Sequence, residues 1–385
     1  MIGLDARSVI LLTGLMGLLM SVVLFFLRRN YPPSIRGLGE WAVAPLVLFV
    51  ATLLFAARGT IPNLLSIVLA NLLLFSGTAL SYFGTQRFFG LKPSIRLWCG
   101  VIVIALIPFS WFSLFQPHYG IRLAVITAFM AMLTFTHFGL ILAHGPRQFS
   151  SYFTGAWLLV LALTQVGRFI YSWSLPAPDA TFDSSDMTQT LQLAVYAFAI
   201  LAQTIGFVLM ATDRLRAELE HLATHDSLTG ALNRRALIEA CGLELARCRR
   251  NYQVMALLVM DLDHFKAIND THGHQTGDRV LVDFARRVGH VLRQPDRFGR
   301  FGGEEFVVLL PETSLAEARV VAERIRAEVA SGNNDLPACT VSIGVAVNGP
   351  DDLEVEAIVA RADAAMYRAK EAGRNRVETV ALPVS

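Results

Sequence analysis

Cysteine is scarce in this chain, with four in 385 residues. Cys99, Cys241, Cys248 and Cys339 stand at no paired or metal-ligand spacing, which excludes a disulfide-stapled scaffold and a cysteine zinc site; they read as reduced thiols. Charge is equally scarce in the first half. Only after about Thr212 do acids and bases become dense, so the overall 17% charged, 54% apolar and +2 net charge average two unlike halves. The first half reads as membrane-embedded and the second as a soluble domain. No retinal, haem or metal-binding motif is visible in the membrane half.

Seven apolar stretches are present instead, near residues 8–27, 41–57, 61–83, 97–114, 121–143, 153–171 and 191–210. At about 1.5 Å per residue, each can cross a hydrocarbon core of about 30 Å. The first is too long, and its flank too poor in small residues, for a cleaved signal peptide. Basic residues alternate between the loops: Arg28, Arg29 and Arg36, then Arg87, Lys92 and Arg96, then Arg147, then Arg214 with Arg216 lie on one side. The other side has Arg7 and Arg58, and its long loop, 172–190, carries Asp179, Asp183 and Asp186. The positive-inside rule then places the N-terminus outside and the second half in the cytoplasm of a multi-pass membrane protein. Asn71, His137, Gln165 and Arg168 are polar groups at or near membrane depth, where they either serve a ligand, bond a neighbouring helix or, for Arg168, reach to an interface. A transporter would show broken helices and paired internal repeats, and neither is clear. After the seventh stretch, Leu215, Leu219 and Leu222 recur amid alternating charges, which predicts an amphipathic helix over 211–224, either a short parallel coiled coil or a solvated connector. The expected division is a seven-span input domain at 1–210, a helical linker at 211–224 and a soluble domain at 225–385.

The soluble domain is organised around Arg300-Phe301-Gly302-Gly303-Glu304-Glu305-Phe306, set between two β-prone runs and therefore read as a hairpin with acids at its tip. Paired glycines allow positive φ and let a phosphate approach bare backbone. Adjacent carboxylates repel unless a cation joins them to a ligand. The apolar run 254–261 reads as a buried central strand ending in Asp261-Leu262-Asp263, so two motifs supply hard oxygens suited to Mg²⁺ carrying a nucleotide phosphate. Around them the pattern predicts a helix to about Arg250, helices at 276–293, 314–331 and 353–372, and strands at 339–347 and 376–380. That is an α/β sandwich around one sheet.

Over residues 222–379 these motifs resemble the GGDEF diguanylate cyclases, in their GGEEF variant. The resemblance rests also on His225-Asp226-Ser227-Leu228-Thr229-Gly230, on Asp261 through Asp270, on Gly273-His274-Gln275-Thr276-Gly277-Asp278, on Ser342-Ile343-Gly344, and on Ala362 through Lys370 with Gly373-Arg374-Asn375. It implies the palm-like fold of nucleotidyl cyclases and polymerases, a bacterial inner-membrane location, and condensation of two GTP into cyclic di-GMP by a homodimer, with no nucleic-acid polymer as partner. It further implies Mg²⁺, or Mn²⁺ in its place, held by Asp261, Glu304 and the Leu262 carbonyl, with Glu305 or Glu304 as general base. Asn269 and Asp278 would read guanine; Gly302, Gly303, Lys266, His274, Lys370 and Arg374 would lie at or beside the phosphates, the bland reading of Lys370 and Arg374 being a solvated helix end. Arg293 and Asp296 match an RxxD site for inhibitory product, with Arg324 as a second arginine contributed across subunits. The rival is a catalytically inactive domain serving as a cyclic di-GMP or GTP receptor, which would have lost Asp261, Glu304, Glu305 or the guanine-reading pair; all are present. No phosphodiesterase domain is expected after Asn375.

Overall fold

The computed structural model describes residues 6–173, 187–332 and 335–380. The chain divides into two units, Met1–Ala217 and Glu218–Ser385.

In the first unit the apolar runs form α1 (Ala6–Asn30), α2 (Leu38–Ala56), a π-helical turn (Leu64–Leu69) leading into α3 (Ala70–Phe88), α4 (Ile95–Leu114), α5 (Tyr119–His144), α6 (Phe149–Ser172) and α7 (Met187–Thr224). Seven helices are long and apolar enough to cross a membrane, by length and composition. The seventh stretch and the amphipathic segment after it are one helix, α7. Asp179, Asp183 and Asp186 of the long loop lie outside the described residues.

Buried polar groups in this bundle mostly find partners, as an apolar interior requires. Trp41 is fully buried, stacks on Phe207 at 4.1 Å and donates its indole N–H to Thr85 Oγ1 at 3.1 Å. Thr85 Oγ1 in turn lies 2.7 Å from His137 Nε2, so His137 bonds a neighbouring helix, as one reading of the sequence allows. Asn71 does not: its side-chain N–H₂ donates to Ile67 O, one turn back in its own helix, at 2.8 Å. The exceptions among the described residues of this bundle are Arg122 Nε, Ser150 Oγ, Ser151 Oγ and Gln165 Oε1, each buried without a hydrogen-bond partner.

The second unit is built on β1 (Leu232–Asn233), β2 (Met255–Leu262), β3 (Arg297–Gly302), β4 (Glu305–Pro311), β5 (Val341–Val347) and β6 (Val377–Thr379), in the order β1-β3-β4-β2-β5-β6. Central β2 runs antiparallel to both β4 and β5, while β1 with β3 and β5 with β6 are parallel pairs. Alternation along β2 sends successive side chains to opposite faces. Ala256, Leu258 and Met260 join a core with α9 (Phe265–His272), α10 (His274–Val291) and α11 (Leu315–Ala330). Met255, Leu257 and Val259 join a second core with α8 (Arg234–Asn251) and α12 (Val355–Glu371). The expected α/β sandwich is this arrangement, with helices on both faces of a mixed sheet.

Two local details refine the expectations. The helix expected to end near Arg250 starts at Arg234, where Asn233 accepts the Ala236 N–H at 3.0 Å as N-cap, and the residues before it form a turn and β1. The helix expected from Thr276 begins at His274, preceded by a separate short helix, α9. The boundary near Ser314 is a full capping box with Glu317.

All four cysteines are free, as read from their spacing. Burial pushes the thiols of Cys241 and Cys339 up to about 12 and that of Cys248 to about 11, whereas Cys99 on α4 is exposed.

Candidate active site

The site forms where β2 ends beside the β3–β4 turn. Asp261 lies directly opposite Glu305 in the antiparallel register, so both side chains leave the same face of the sheet. Between β3 and β4, Gly303 takes φ of 45°, and the turn it makes with Glu304 returns the chain towards β2; Gly302 needs no such conformation. The Leu262 N–H reaches the Glu304 carbonyl at 3.4 Å, a long bond that ties the turn to the strand end.

Arg300 holds this turn from below. Its Nε and Nη2 donate to the Gly303 carbonyl at 3.0 and 2.7 Å, and its Nη1 reaches Asp226 Oδ1 at 3.1 Å. The same Asp226 oxygen accepts from the Thr229 N–H and hydroxyl at 2.9 and 2.7 Å. Burial would raise the Asp226 pKa, but these donors from Thr229 and Arg300 together hold it below the ordinary carboxylate range.

Asp261 faces α12, whose Lys370 places Nζ 2.9 Å from Oδ1. The solvated-helix-end reading of Lys370 is thereby set aside. Burial pushes the Asp261 pKa up against the opposing pull of Lys370, with Asp263 and Asp363 adding to the rise. Glu304 is pushed up by burial first and then by the Asp261 charge, with Glu305 contributing. Three carboxylates thus crowd one place with a single ammonium among them, an excess of negative charge that a divalent cation would relieve.

The other acid of the Asp-x-Asp run behaves differently. Asp263 is buried and accepts from the hydroxyls of Thr340 and Ser342, each at 2.7 Å, and from the Asn375 N–H at 3.0 Å. Asp263, which the expected metal set leaves out, pins the end of β2 to the start of β5 and to the loop before β6. Among the described residues no group of three or more His, Cys, Asp or Glu side chains is arranged to hold a metal ion. Asp261 and Glu304 carry the hard carboxylate oxygens that a divalent cation such as Mg²⁺ takes alongside substrate phosphates, so the chemistry of the donors fits such an ion.

Asn269, near the end of α9, lies against the first turn of α10: a Cβ added at Gly277 would stand 1.9 Å from its Oδ1. Gly277 is followed at once by Asp278, so the two expected guanine readers flank one helix junction, with Asp278 exposed. Lys266, His274 and Arg374 are also exposed, and no hydrogen bond or ion pair among the described residues joins them to the carboxylates.

Arg293 and Asp296 are paired with each other. Asp296 accepts from Arg293 Nε at 3.1 Å and from its main-chain N–H at 3.0 Å, and its side chain is only 2% exposed. Arg293 Nη2 donates to Thr313 Oγ1 at 2.7 Å, while its side chain stays 57% exposed. Arg324 is exposed and its Nη2 donates to the Val291 carbonyl.

The sequence reading quoted Asp226, Arg300 and Asp263 without giving any of them a task of its own. The partners lie 74 residues apart for Asp226 with Arg300 and 77 to 112 for Asp263, so no local spacing signals them.

The family described as "Diguanylate cyclase, GGDEF domain" matches residues 223–376. Diguanylate cyclase DgcM of Escherichia coli K12 is 45% identical over 168 residues, which are 43% of this chain and 40% of that protein. The chain thus spans less than half the length of this relative. The probable diguanylate cyclase DgcC of the same organism is 35% identical over 262 residues, 65% of this chain and 67% of the relative. Among solved structures, the coiled coil and GGDEF domain of DgcB from Caulobacter crescentus in complex with c-di-GMP is 36% identical, covering 47% of this chain and 99% of that one with a TM-score of 0.43. The hairpin with its facing strand end, and a resemblance to DgcC that is too long to fit within the second unit, lead to one conclusion: this chain belongs to the GGDEF diguanylate cyclase family.

Proposed function

We propose that the protein is a membrane-bound diguanylate cyclase, which joins two GTP into cyclic di-GMP with release of two pyrophosphates. The observation that carries this reading is the convergence of Asp261, Glu304, Glu305 and Lys370 at the end of β2. Asp261 and Glu304, with the Leu262 carbonyl, would hold Mg²⁺, or Mn²⁺ in its place. That ion would gather the negative charge developing on the triphosphate as the α-phosphate is attacked.

The chain's own groups do the rest. Glu305, exposed and opposite Asp261, takes the proton from the attacking 3′-hydroxyl; Glu304, engaged with the ion, is the poorer base. Lys370 exchanges Asp261 for a phosphate oxygen when nucleotide arrives. Bare backbone at Gly302 and Gly303 lets the phosphates come close, and Lys266, His274 and Arg374 add positive charge around them. Asn269 and Asp278 read guanine, the acid accepting from the N1 and N2 donors that adenine lacks.

Each hydroxyl must attack the other nucleotide, so two copies face each other and the working unit is a homodimer. Arg293 and Asp296 take the product, with Arg324 of a second copy, and slow the enzyme. The seven apolar helices anchor the chain in the inner membrane with the N-terminus outside and the catalytic half in the cytoplasm. They act as the input domain, and α7, unbroken from Met187 to Thr224, is the helix through which they act. The test is purified protein in nanodiscs with Mg²⁺ and GTP, assayed for cyclic di-GMP across protein concentration. Activity per chain should rise with concentration until dimers saturate. Nucleotide binding without turnover at any concentration would favour the receptor reading instead.

A further inference from the structure

The helices of the first unit line a partly open cavity of about 660 Å³. Ligand pockets commonly run from about 300 to 1,000 Å³. Most of its wall is apolar, with Trp41, Phe109, Met130, Leu133 and Phe207 along it. Its charges are of one sign. Arg58, Arg122 and Arg168 line it, and no Asp or Glu does among the described residues.

The three guanidiniums are gathered at one end. Arg58 stands just past the last turn of α2, Arg122 in the first turn of α5 and Arg168 in the last turns of α6. That α5 begins beside the end of α6 is shown by Gly120, where an added Cβ would stand 3.0 Å from the Ser172 carbonyl. Arg58 and Arg122 are close enough to repel each other. Neither Arg58 nor Arg168 has an ion pair among the described residues, and the buried Nε of Arg122 has no hydrogen-bond partner. Gln165, one turn before Arg168, is 2% exposed, lines the same cavity and leaves Oε1 unpartnered. Buried polar atoms of this kind are costly when nothing meets them. Side-chain amides also turn over readily, so Gln165 can present either an acceptor or two donors.

We propose that this cavity binds an amphipathic anion, its oxyanion head held by Arg58, Arg122 and Arg168 with the Gln165 amide, and its apolar body lying along the wall that Trp41 and Phe207 help to form. A cationic amphiphile would meet three like charges, and a neutral one would leave those charges unmet, so the site selects by head charge. Trp41 and Phe207 stack face to face, which puts α7 itself in the wall of the site. The proposal concerns binding alone and stands whether or not the second unit turns over GTP.

The experiment uses the full chain in nanodiscs of phosphatidylcholine, with empty nanodiscs subtracted, and titrates dodecanoate, dodecanol and dodecyltrimethylammonium by calorimetry. Dodecanoate should bind saturably, one per chain, and at least about tenfold more tightly than the other two, the difference expected when a charged partner is lost. Gln165→Leu, close in volume, and Arg168→Gln should each weaken dodecanoate without changing dodecanol. Replacing part of the disc lipid with phosphatidylglycerol separates the sources: competition with dodecanoate identifies a bilayer phospholipid as an occupant of the same site, and unchanged dodecanoate binding identifies a free carboxylate. Equal binding of the three amphiphiles in the wild-type protein, or no saturable binding of dodecanoate in either lipid, would overturn the proposal without reliance on any variant.

Discussion

If Glu305 is the base, as proposed, a single oxygen-for-nitrogen exchange there separates binding from chemistry. Glu305→Gln keeps the shape and the exposed position opposite Asp261 but removes the basic oxygen. The expected outcome is GTP affinity within about threefold of wild type and turnover lowered by about 10²-fold or more, the scale of a lost general base; equilibrium binding and cyclic di-GMP formation measured on one preparation check it. The raised pKa values of Asp261 and Glu304 carry a second consequence. Both must be ionised to hold a cation, so protons compete with Mg²⁺ at higher pH than they would for ordinary carboxylates at about 3.9–4.3. Without the ion the sign is clear: a carboxyl with a raised folded-state pKa favours the folded state below its unfolded value, and that contribution is lost as pH rises through the folded value. Mg²⁺ should therefore raise the melting temperature by an increment that falls as pH is lowered from neutral towards the ordinary carboxylate range. An increment that stays unchanged all the way down to that range would count against the pair as ligands. The hairpin acids and the strand-end acid were legible in the sequence, because glycine pairs and an abrupt end to an apolar run are local patterns. Lys370 was legible only as a cation near phosphate; its pairing with Asp261 needs β2 and α12 brought together, and no spacing reports that.

The long helices and strands were found, and two of the short elements were missed. Strand β1 has two residues, and α9 has eight, so neither offers enough repeats to announce itself. The sheet order was not readable either, since β1-β3-β4-β2-β5-β6 depends on pairings between distant segments. The crossing of α9 and α10 is one such arrangement with a testable result. Gly277→Ala would drive Cβ into the Asn269 side chain, whose far end can swing away cheaply. The melting temperature should change little, while KM for GTP rises by about 10-fold, the loss of roughly one good hydrogen bond to the base; steady-state kinetics beside thermal unfolding distinguishes the two effects. Asp263 joins three elements, and its removal should act in the opposite manner. Asp263→Ala strands the Thr340 and Ser342 hydroxyls and the Asn375 N–H, so unfolding should become easier by about 3 kcal/mol or more. Chemical denaturation in detergent measures it, and a loss below about 1 kcal/mol would show that those donors find other acceptors.

For the molecule as a whole, output is limited by its own product if the Arg293–Asp296 pair opens to receive it. In the free protein that pair is closed, and Arg293 also reaches Thr313, so product must displace bonds that already exist. Arg293→Ala should let progress curves run on linearly where the wild type bends over, with the initial rate within about twofold; curvature unchanged in the variant would remove the inhibitory site from the account. The variant should also melt at a lower temperature, because Asp296, with 2% of its side chain exposed, loses the guanidinium and keeps only the main-chain N–H of residue 293. The four thiols, finally, are unequally placed. Three are protonated and shielded in the folded second unit, with pKa values near 11 to 12, whereas Cys99 lies open on α4. In detergent, where no bilayer covers α4, a maleimide fluorophore or spin label should therefore attach at Cys99 ahead of the other three, giving the helical bundle a built-in spectroscopic reporter whose signal needs no engineered cysteine and leaves the second unit unmarked.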